Sequence, residues 1–192
     1  MKKKLLLTIP ASGSRLLLQL LEANGFGWCH YADFKDKSID HSKTCIFEHA
    51  YNESMAVLQG TNAKCIFLMR RDLLASVVSE LISKGAVYDH QKIQNQYIYF
   101  MAEVTSTIEF LKTNTIEYKT IFYEDMLTTE DKKATISTIF SFWDIPIPDE
   151  ICTETEIKKT YNEKNFLFYH QFFADLIRKC EGLPSQKETQ TV

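Results

Sequence analysis

The fold of this chain of 192 residues is decided near its start by the stretch Leu5-Leu6-Leu7-Thr8-Ile9-Pro10-Ala11-Ser12-Gly13-Ser14-Arg15. Residues 5–9 form an apolar run that predicts a buried strand, and residues 14–24 carry leucines at the spacing of a helix. A short turn containing Gly13 separates the two segments. The stretch therefore predicts a strand, a tight loop and a helix.

Strands and helices continue to alternate along the rest of the chain. We predict further strands over residues 44–47, 64–69 and 117–122, and helices over residues 52–58, 73–85, 90–113, 129–142 and 166–177. Parallel strands need long crossover connections, so this alternation predicts an α/β fold with three layers, a mostly parallel sheet flanked by helices. We assign residues 1–182 to one domain and the polar residues 183–192 to a flexible tail.

Composition limits the class of protein. Hydrophobic residues make up 45% of the chain and charged residues 24%, which is typical of a compact globular protein. The net charge of −3 disfavours a nucleic-acid partner, because a phosphate backbone requires clustered excess Lys and Arg. We therefore expect any anion site in this chain to be confined to a few residues and not spread over a basic surface.

The cysteines and the N-terminal segment favour a cytoplasmic protein. The five cysteines form no CxxC pair and suit reduced thiols, which are typical of the cytosol. The unbroken apolar run at residues 5–7 is too short for a signal peptide or a membrane span, so we expect no membrane partner.

The turn after the first strand has the features of an anion site. Backbone N–H groups at such a turn point outward, and the helix dipole adds partial positive charge. Gly13 allows close approach of a ligand, and Ser12 and Ser14 offer hydroxyl donors. The same pattern is also typical of a simple helix cap. The Gly-Lys-Ser/Thr ending of a Walker A loop is missing, which makes a small-molecule or nucleotide kinase the weaker alternative.

A pair of arginines follows the predicted central strand. Arg70 and Arg71 come directly after residues 64–69, and Ser79 lies eight residues beyond Arg71. Ligands of open parallel sheets bind at the carboxyl ends of the strands, and an arginine fork matches a phosphate. The alternative is that Arg71 pairs with Asp72 or with another surface acid.

These segments together resemble the sulfotransferases that use a nucleotide sulfate. The family carries a Pro-Lys/Arg-Ser-Gly-Ser/Thr-Thr loop, onto which residues 10–15 fall, and an Arg followed eight residues later by Ser, as in Arg71 and Ser79. Residues 123–126, Tyr-Glu-Asp-Met, and residues 142–146, Phe-Trp-Asp-Ile-Pro, are similar to two further family segments. The resemblance covers roughly residues 4–148, and residues 67–74 are most similar to the carbohydrate branch.

The resemblance implies a P-loop NTPase-like fold and a donor substrate, 3′-phosphoadenosine 5′-phosphosulfate, bound without a metal. The residues that it assigns to the donor are Ala11, Ser12, Gly13, Ser14 and Arg15 at the 5′ end, Arg71 and Ser79 at the 3′-phosphate, and Tyr123. His49 falls at the family's Lys-x-His element and is our candidate for the catalytic base, with Glu48 as the second candidate. The alternative for His49 is a packing role at the end of its strand.

Two residues depart from the family pattern. Ala11 stands where the family has the Lys or Arg that contacts the phosphosulfate, and Phe47 replaces the Lys of Lys-x-His. Arg15 lies about one helical turn beyond Ala11, so we predict that it supplies the missing catalytic charge. The departures also support an alternative, a catalytically impaired module that binds a nucleotide or a protein partner.

The expected acceptor is a hydroxyl or an amine of a small molecule or a glycan. The chain is short for the family, so the segments that enclose an acceptor are reduced. The acceptor pocket is therefore expected to be open or to be completed by a second subunit in a homodimer.

Overall fold

The computed structural model describes residues 2–30, 32–33, 40, 42–50, 62–85, 90–155, 167, 170–172, 174–175 and 178. The helix predicted over residues 52–58 and the tail predicted over residues 183–192 lie outside these described residues.

The described strands form one parallel sheet. They are β1 (Lys3–Thr8), β2 (Gly27–Cys29), β3 (Thr44–His49), β4 (Ala63–Met69) and β5 (Glu117–Phe122). Their order across the sheet is β2-β3-β1-β4-β5, and each neighbouring pair is parallel. Because all the strands run the same way, the carboxyl ends of β3, β1, β4 and β5 lie side by side at one edge.

Helices cover both faces of the sheet. They are α1 (Ser14–Ala23), α2 (Leu73–Ser83), α3 (His90–Thr113) and α4 (Thr129–Phe142), with a 3₁₀ turn at Tyr123–Met126. Leu5 and Leu7 of β1 pack in the core with α2 and α3, whereas Leu6 packs in a second core with α1 and α4. Side chains of a strand alternate between its faces, so both cores extend from the central strand. The predicted α/β architecture, with a parallel sheet between two helical layers, is confirmed.

Side-chain caps fix two of the predicted helix starts. Asp72 accepts a hydrogen bond from the N–H of Ala75 at 3.0 Å and so begins α2, and Thr128 accepts one from the N–H of Asp131 at 3.1 Å and so begins α4. The edge strand β2 and the 3₁₀ turn were not predicted, because segments of three or four residues carry little periodicity. Within the described ranges, no helix combines the length and the apolar character needed to cross a membrane.

Candidate functional site

The loop between β1 and α1 has two residues in the left-handed region. Ala11 has a φ of 55° and Gly13 a φ of 89°. Gly13 is the N-cap residue of α1, and it makes no side-chain hydrogen bond to the helix. The N–H groups of a first helical turn need partners outside the helix, and the helix dipole makes them attractive to an anion. The start of α1 therefore presents backbone donors that no capping side chain satisfies.

Ser12 attaches this loop to the sheet. Its buried Oγ donates to the carbonyl oxygen of Ile9 at 2.5 Å and lies 3.3 Å from that of Leu68. A hydroxyl has a single proton to donate, so this proton is used inside the protein and not by a ligand. Ser14 is half-buried and Arg15 is exposed, and Arg15 pairs with no other described residue.

Arg70 is a buried cation beside this loop. Its exposed fraction is 8%, and its Nε has no hydrogen-bond partner among the described residues. Its guanidinium carbon lies 4.4 Å from the centroid of the Tyr123 ring. The same ring lies against Gly13, where an added Cβ would overlap Cδ2 and lie 3.0 Å from Cε2. Three distant segments of the chain thus meet at the Tyr123 ring, with the guanidinium of Arg70 stacked on the ring and Gly13 in contact with it.

Arg71 has a different environment from Arg70. Its side chain is 54% exposed, and its Nη1 donates to Oδ1 of Asp125 at 2.6 Å. The guanidinium carbon lies 4.3 Å from the ring centroid of Phe122, and the N–H of Arg71 donates to Glu124 at 3.1 Å. The hydrogen bond to Asp125 raises the pKa of Arg71. Arg71 therefore already has a carboxylate partner, as in the alternative in which it pairs with a surface acid.

The sequence identified the arginine pair but favoured the member that carries an ion pair. Spacing to a downstream serine selected Arg71, whereas Arg70 is the buried arginine and its Nε has no hydrogen-bond partner in the part of the chain that the structure describes. One signal could have found Arg70, because it is the first residue after a strand that is apolar on both faces, and such a residue lies at the edge of the sheet.

Ser79 lies in α2 and is buried, with an exposed fraction of 7%. No hydrogen bond joins Ser79 to Arg71 among the described residues. Ser79 and Arg71 are expected to hold the same phosphate, but they do not hydrogen-bond to each other in the described structure. It stays a prediction.

His49 ends β3 and lies opposite Thr8 of β1, with its Nδ1 3.1 Å from Oγ1 of Thr8. Its ring packs edge-on against Phe47, with centroids 5.3 Å apart. Burial lowers the pKa of His49 below its usual value, although a hydrogen bond to the Thr8 backbone and the nearby charges of Glu80 and Glu48 act in the opposite direction. Near neutral pH the imidazole is thus uncharged and able to accept a proton.

Glu48, the second candidate for the base, faces another histidine. Its Oε1 lies 3.7 Å from Nδ1 of His30 at the end of β2. Its side chain is 20% exposed, whereas that of His30 is 51% exposed. The pair lies at the same carboxyl edge as His49.

An open cleft of about 580 Å³ lies at the carboxyl end of β4. The residues that line it are Met69, Arg71, Asp72, Leu73, Leu74, Tyr97, Met101 and Val104. Asp72, at its rim, also pairs with His170 at 2.5 Å, and this hydrogen bond lowers the pKa of Asp72. The cleft has a mainly apolar wall with charged groups at its entrance.

The fold brings most of the predicted site residues to one edge of the sheet. The turn at residues 10–15, His49, Arg70, Arg71 and Tyr123 all follow or end strands at the carboxyl edge. The arrangement offers backbone donors, a buried cation and a neutral imidazole, which can bind an anion and accept a proton. No cluster of three or more metal-ligating side chains occurs in the described ranges.

Comparison of the chain with protein-family models and with curated proteins finds no match.

Proposed function

We propose that the protein binds 3′-phosphoadenosine 5′-phosphosulfate at the carboxyl edge of a P-loop NTPase-like sheet and transfers its sulfuryl group to an acceptor hydroxyl or amine. The observation that carries this proposal is Arg70, a residue with an exposed fraction of 8% whose buried Nε has no partner among the described residues. A buried cation without a carboxylate is costly for a fold. A bound phosphate or sulfate would supply the missing charge.

The loop supports the 5′ end of the donor. The left-handed Gly13 and the first turn of α1 direct backbone N–H groups to the edge of the sheet, where a phosphosulfate would lie. Ala11 contributes only its backbone, and we assign the exposed Arg15 as the cation for this end. Ser14 offers a second hydroxyl in this loop, whereas the Ser12 proton is donated to Ile9.

The 3′-phosphate is assigned to the arginine pair. Arg70 forms no ion pair with a described carboxylate, whereas Arg71 would exchange or share its contact with Asp125. The Tyr123 ring contacts both Gly13 and Arg70, and we assign the nucleotide to the solvent side of this ring. Ser79 retains its predicted role at the same phosphate.

The chemical step requires one proton acceptor. The acceptor oxygen or nitrogen attacks the sulfur, His49 takes the proton, and the bond from sulfur to the 5′-phosphate oxygen breaks. The products are the sulfated acceptor and 3′,5′-adenosine bisphosphate, whose new charge is stabilised by the backbone donors of the loop and by Arg15. A metal is not required by this scheme, because protein donors neutralise the leaving phosphate.

The cleft beside Arg71 is our candidate for the acceptor site. Its apolar wall and its position at the end of β4 suit a small molecule with an apolar part or a sugar ring. The cleft is open, as expected for a pocket that a second subunit could complete.

A second candidate function is a nucleotide-binding module without catalysis. It is favoured by Ala11 and by the internal hydrogen bond of Ser12, which together remove one charged donor and one hydroxyl from the loop. Loss of a single donor aimed at a developing anion costs about two to three orders of magnitude in rate. Such a module would bind the nucleotide and release no sulfate.

Calorimetric titration with 3′,5′-adenosine bisphosphate tests the proposal. We expect saturable binding to the wild type and a loss of about 10- to 100-fold in affinity for R70M, because a hydrogen bond to a charged group contributes about 1.5–3 kcal/mol. Methionine keeps the buried volume of the side chain and removes its charge. The matched control is K2A, which removes an exposed cation that pairs with Glu117 at 2.6 Å, and we expect its affinity to be unchanged.

Two results would overturn the donor assignment. The first is the absence of saturable binding at millimolar ligand, and the second is equal weakening by R70M and K2A. Transfer of labelled sulfate, measured with wild type and with H49A, then separates the enzyme from the binding module. Transfer that is lost in H49A supports the enzyme, and binding without transfer supports the module.

A further inference from the structure

β5 forms an edge of the described sheet. The strand order places it at one end, where β4 is its only neighbour among the described strands. No backbone hydrogen bond joins the outer side of β5 to a described residue. The opposite edge strand, β2, has three residues, whereas β5 has six. An edge of this length presents N–H and C=O groups to which a further strand can bind.

Two opposite charges lie on one face of this edge. Glu117 and Lys119 are exposed and two residues apart, so their side chains point to the same face of the sheet. Lys119 pairs with no other described residue. Glu117 binds Lys2 at 2.6 Å, but half of its side chain is exposed, and a carboxylate has further acceptor positions. Both charges are therefore accessible to a partner strand.

An open cleft of about 510 Å³ lies on the same face, between β5 and α4. The residues that line it are Lys119, Ser137, Thr138, Ser141, Phe142 and Ile147. Ile147 is an apolar residue with an exposed fraction of 49%. The cleft leaves space beside Lys119 for the side chains of another strand.

Symmetry limits how two copies of this chain can join at the β5 edge. Two identical edge strands related by a two-fold axis run antiparallel, and the axis is perpendicular to the sheet, which keeps the α4 layers of both copies on the same side. Residues directly opposite each other then point to the same face. An odd-numbered residue therefore lies opposite an odd-numbered residue, and each allowed register is centred on a single residue.

The charges distinguish these registers. A register centred on Glu117 or on Lys119 places that residue opposite its own copy, which brings like charges together. A register centred on Thr120 places Lys119 opposite the apolar Ile121. A register centred on Tyr118 places Glu117 of each copy opposite Lys119 of the other copy. Opposite charges directly across two strands are stabilising and like charges are destabilising, so the register centred on Tyr118 is favoured.

We propose that β5 is the surface through which two copies of this chain form a symmetric dimer, with antiparallel strands centred on Tyr118. Charged residues on an edge strand commonly prevent it from pairing with other strands. Here the two charges disfavour the shifted registers and favour this one, so they give specificity for a second copy. The inference goes beyond the proposed function, because it involves neither the donor nor His49.

Sedimentation equilibrium of the full chain over a range of concentrations tests the proposal. We expect a monomer–dimer equilibrium in the wild type. K119E and E117K each convert both attractive pairs into repulsive ones, so we expect each to raise the dissociation constant of the dimer about tenfold or more. The double variant E117K/K119E exchanges the two charges and should restore the wild-type value. The matched control is K43E, since Lys43 is exposed and precedes β3, which β1 and β4 separate from β5, and we expect its dissociation constant to be unchanged.

A mixture of the two single variants tests the register. In a mixed dimer the two acidic residues of K119E lie opposite the two basic residues of E117K. We expect the mixed dimer to be about tenfold or more tighter than the dimer of either variant alone. Dimerisation through another surface gives no such rescue.

Hydrogen exchange of the wild type is a second measurement that needs no variant. We expect the amides of β5 to exchange more slowly as the protein concentration rises, because the second copy covers them. The proposal is overturned by a wild type that stays monomeric up to millimolar concentration, by a dimer that K119E does not weaken, or by a weakened dimer that neither the double variant nor the mixture restores. A dimer whose β5 amides exchange at the same rate at every concentration overturns it too. None of these results depends on nucleotide binding or sulfate transfer, so the proposed function is tested separately.

Discussion

Replacing Gly13 with alanine probes the contact between the loop and the Tyr123 ring. The change destabilises the fold in two ways. Gly13 has a φ of 89°, which is unfavourable for alanine, and the new Cβ would overlap Cδ2 of the ring. The ring cannot move freely, since the guanidinium of Arg70 lies on it at 4.4 Å from its centroid. G13A therefore has to displace part of the stack at the candidate site.

The magnitude follows from these two terms. A residue with a Cβ in the left-handed region costs about 1–2 kcal/mol, and the smaller entropy of the unfolded chain offsets about 0.4–1 kcal/mol of this. Forcing a methyl group into occupied space adds about 1–3 kcal/mol. Gly25 supplies a matched control, because its φ is 76° and a Cβ there would meet nothing within 4 Å. G13A should thus lower the free energy of unfolding by about 1–3 kcal/mol more than G25A.

Urea unfolding of both variants, followed by circular dichroism, measures this difference. The same pair of glycine variants is then made in a Y123A background, where the ring is absent. In that background we expect G13A and G25A to lower the free energy of unfolding equally, because only the cost of the left-handed backbone is left. The coupling energy of this double-mutant cycle isolates the collision.

Equal destabilisation by G13A and G25A in the wild-type background would refute the collision between the Gly13 loop and the Tyr123 ring. An excess destabilisation by G13A that persists in the Y123A background would refute it as well. Either result would mean that the ring does not cover the loop, and the stack from Gly13 to Arg70 would no longer define a site.

Two further predictions concern the helix caps. T128A should lower the free energy of unfolding, measured in urea, by about 1 kcal/mol, because the hydroxyl that accepts the N–H of Asp131 is lost. An unchanged urea midpoint would contradict the capping role of Thr128. D72N should lower the free energy of unfolding at pH 6, and by less at low pH. The hydrogen bond from His170 holds the pKa of Asp72 below its ordinary value. The carboxylate therefore contributes its full stabilisation above the unfolded pKa of about 3.9, and this stabilisation is lost as the pH falls through the folded pKa. Urea unfolding midpoints of D72N and wild type from pH 6 to pH 2 measure this pH dependence. A difference between the two midpoints that does not change with pH would contradict the lowered pKa of Asp72.

The layer architecture could be predicted because it depends on local patterns. The apolar residues of α3 repeat at helical spacing over 24 residues, and both its ends were predicted correctly. The run at β4 is apolar because both of its faces are covered by helices, which is typical of a central parallel strand. Short segments such as β2, with 3 residues, offered no comparable signal.

The candidate site was predictable only in part. The loop, the arginine pair and the histidine could be located because each follows a strand, and the carboxyl ends of parallel strands meet at one edge. The sequence could not show that the Ser12 proton is used by Ile9. Nor could it show that the two arginines differ, with Arg71 paired to Asp125 and Arg70 buried against Tyr123.

By itself, then, the sequence determined which segments are strands and helices, which faces are apolar and which polar residues reach the edge of the sheet. These properties follow from periodicity and from backbone preferences within a few residues. The tertiary structure alone decided how the two arginines are paired, because the carboxylate that binds Arg71 is contributed by Asp125, which lies 54 residues away in the chain. Whether a charge is paired or unpaired is settled only when the packed layers bring those segments into contact.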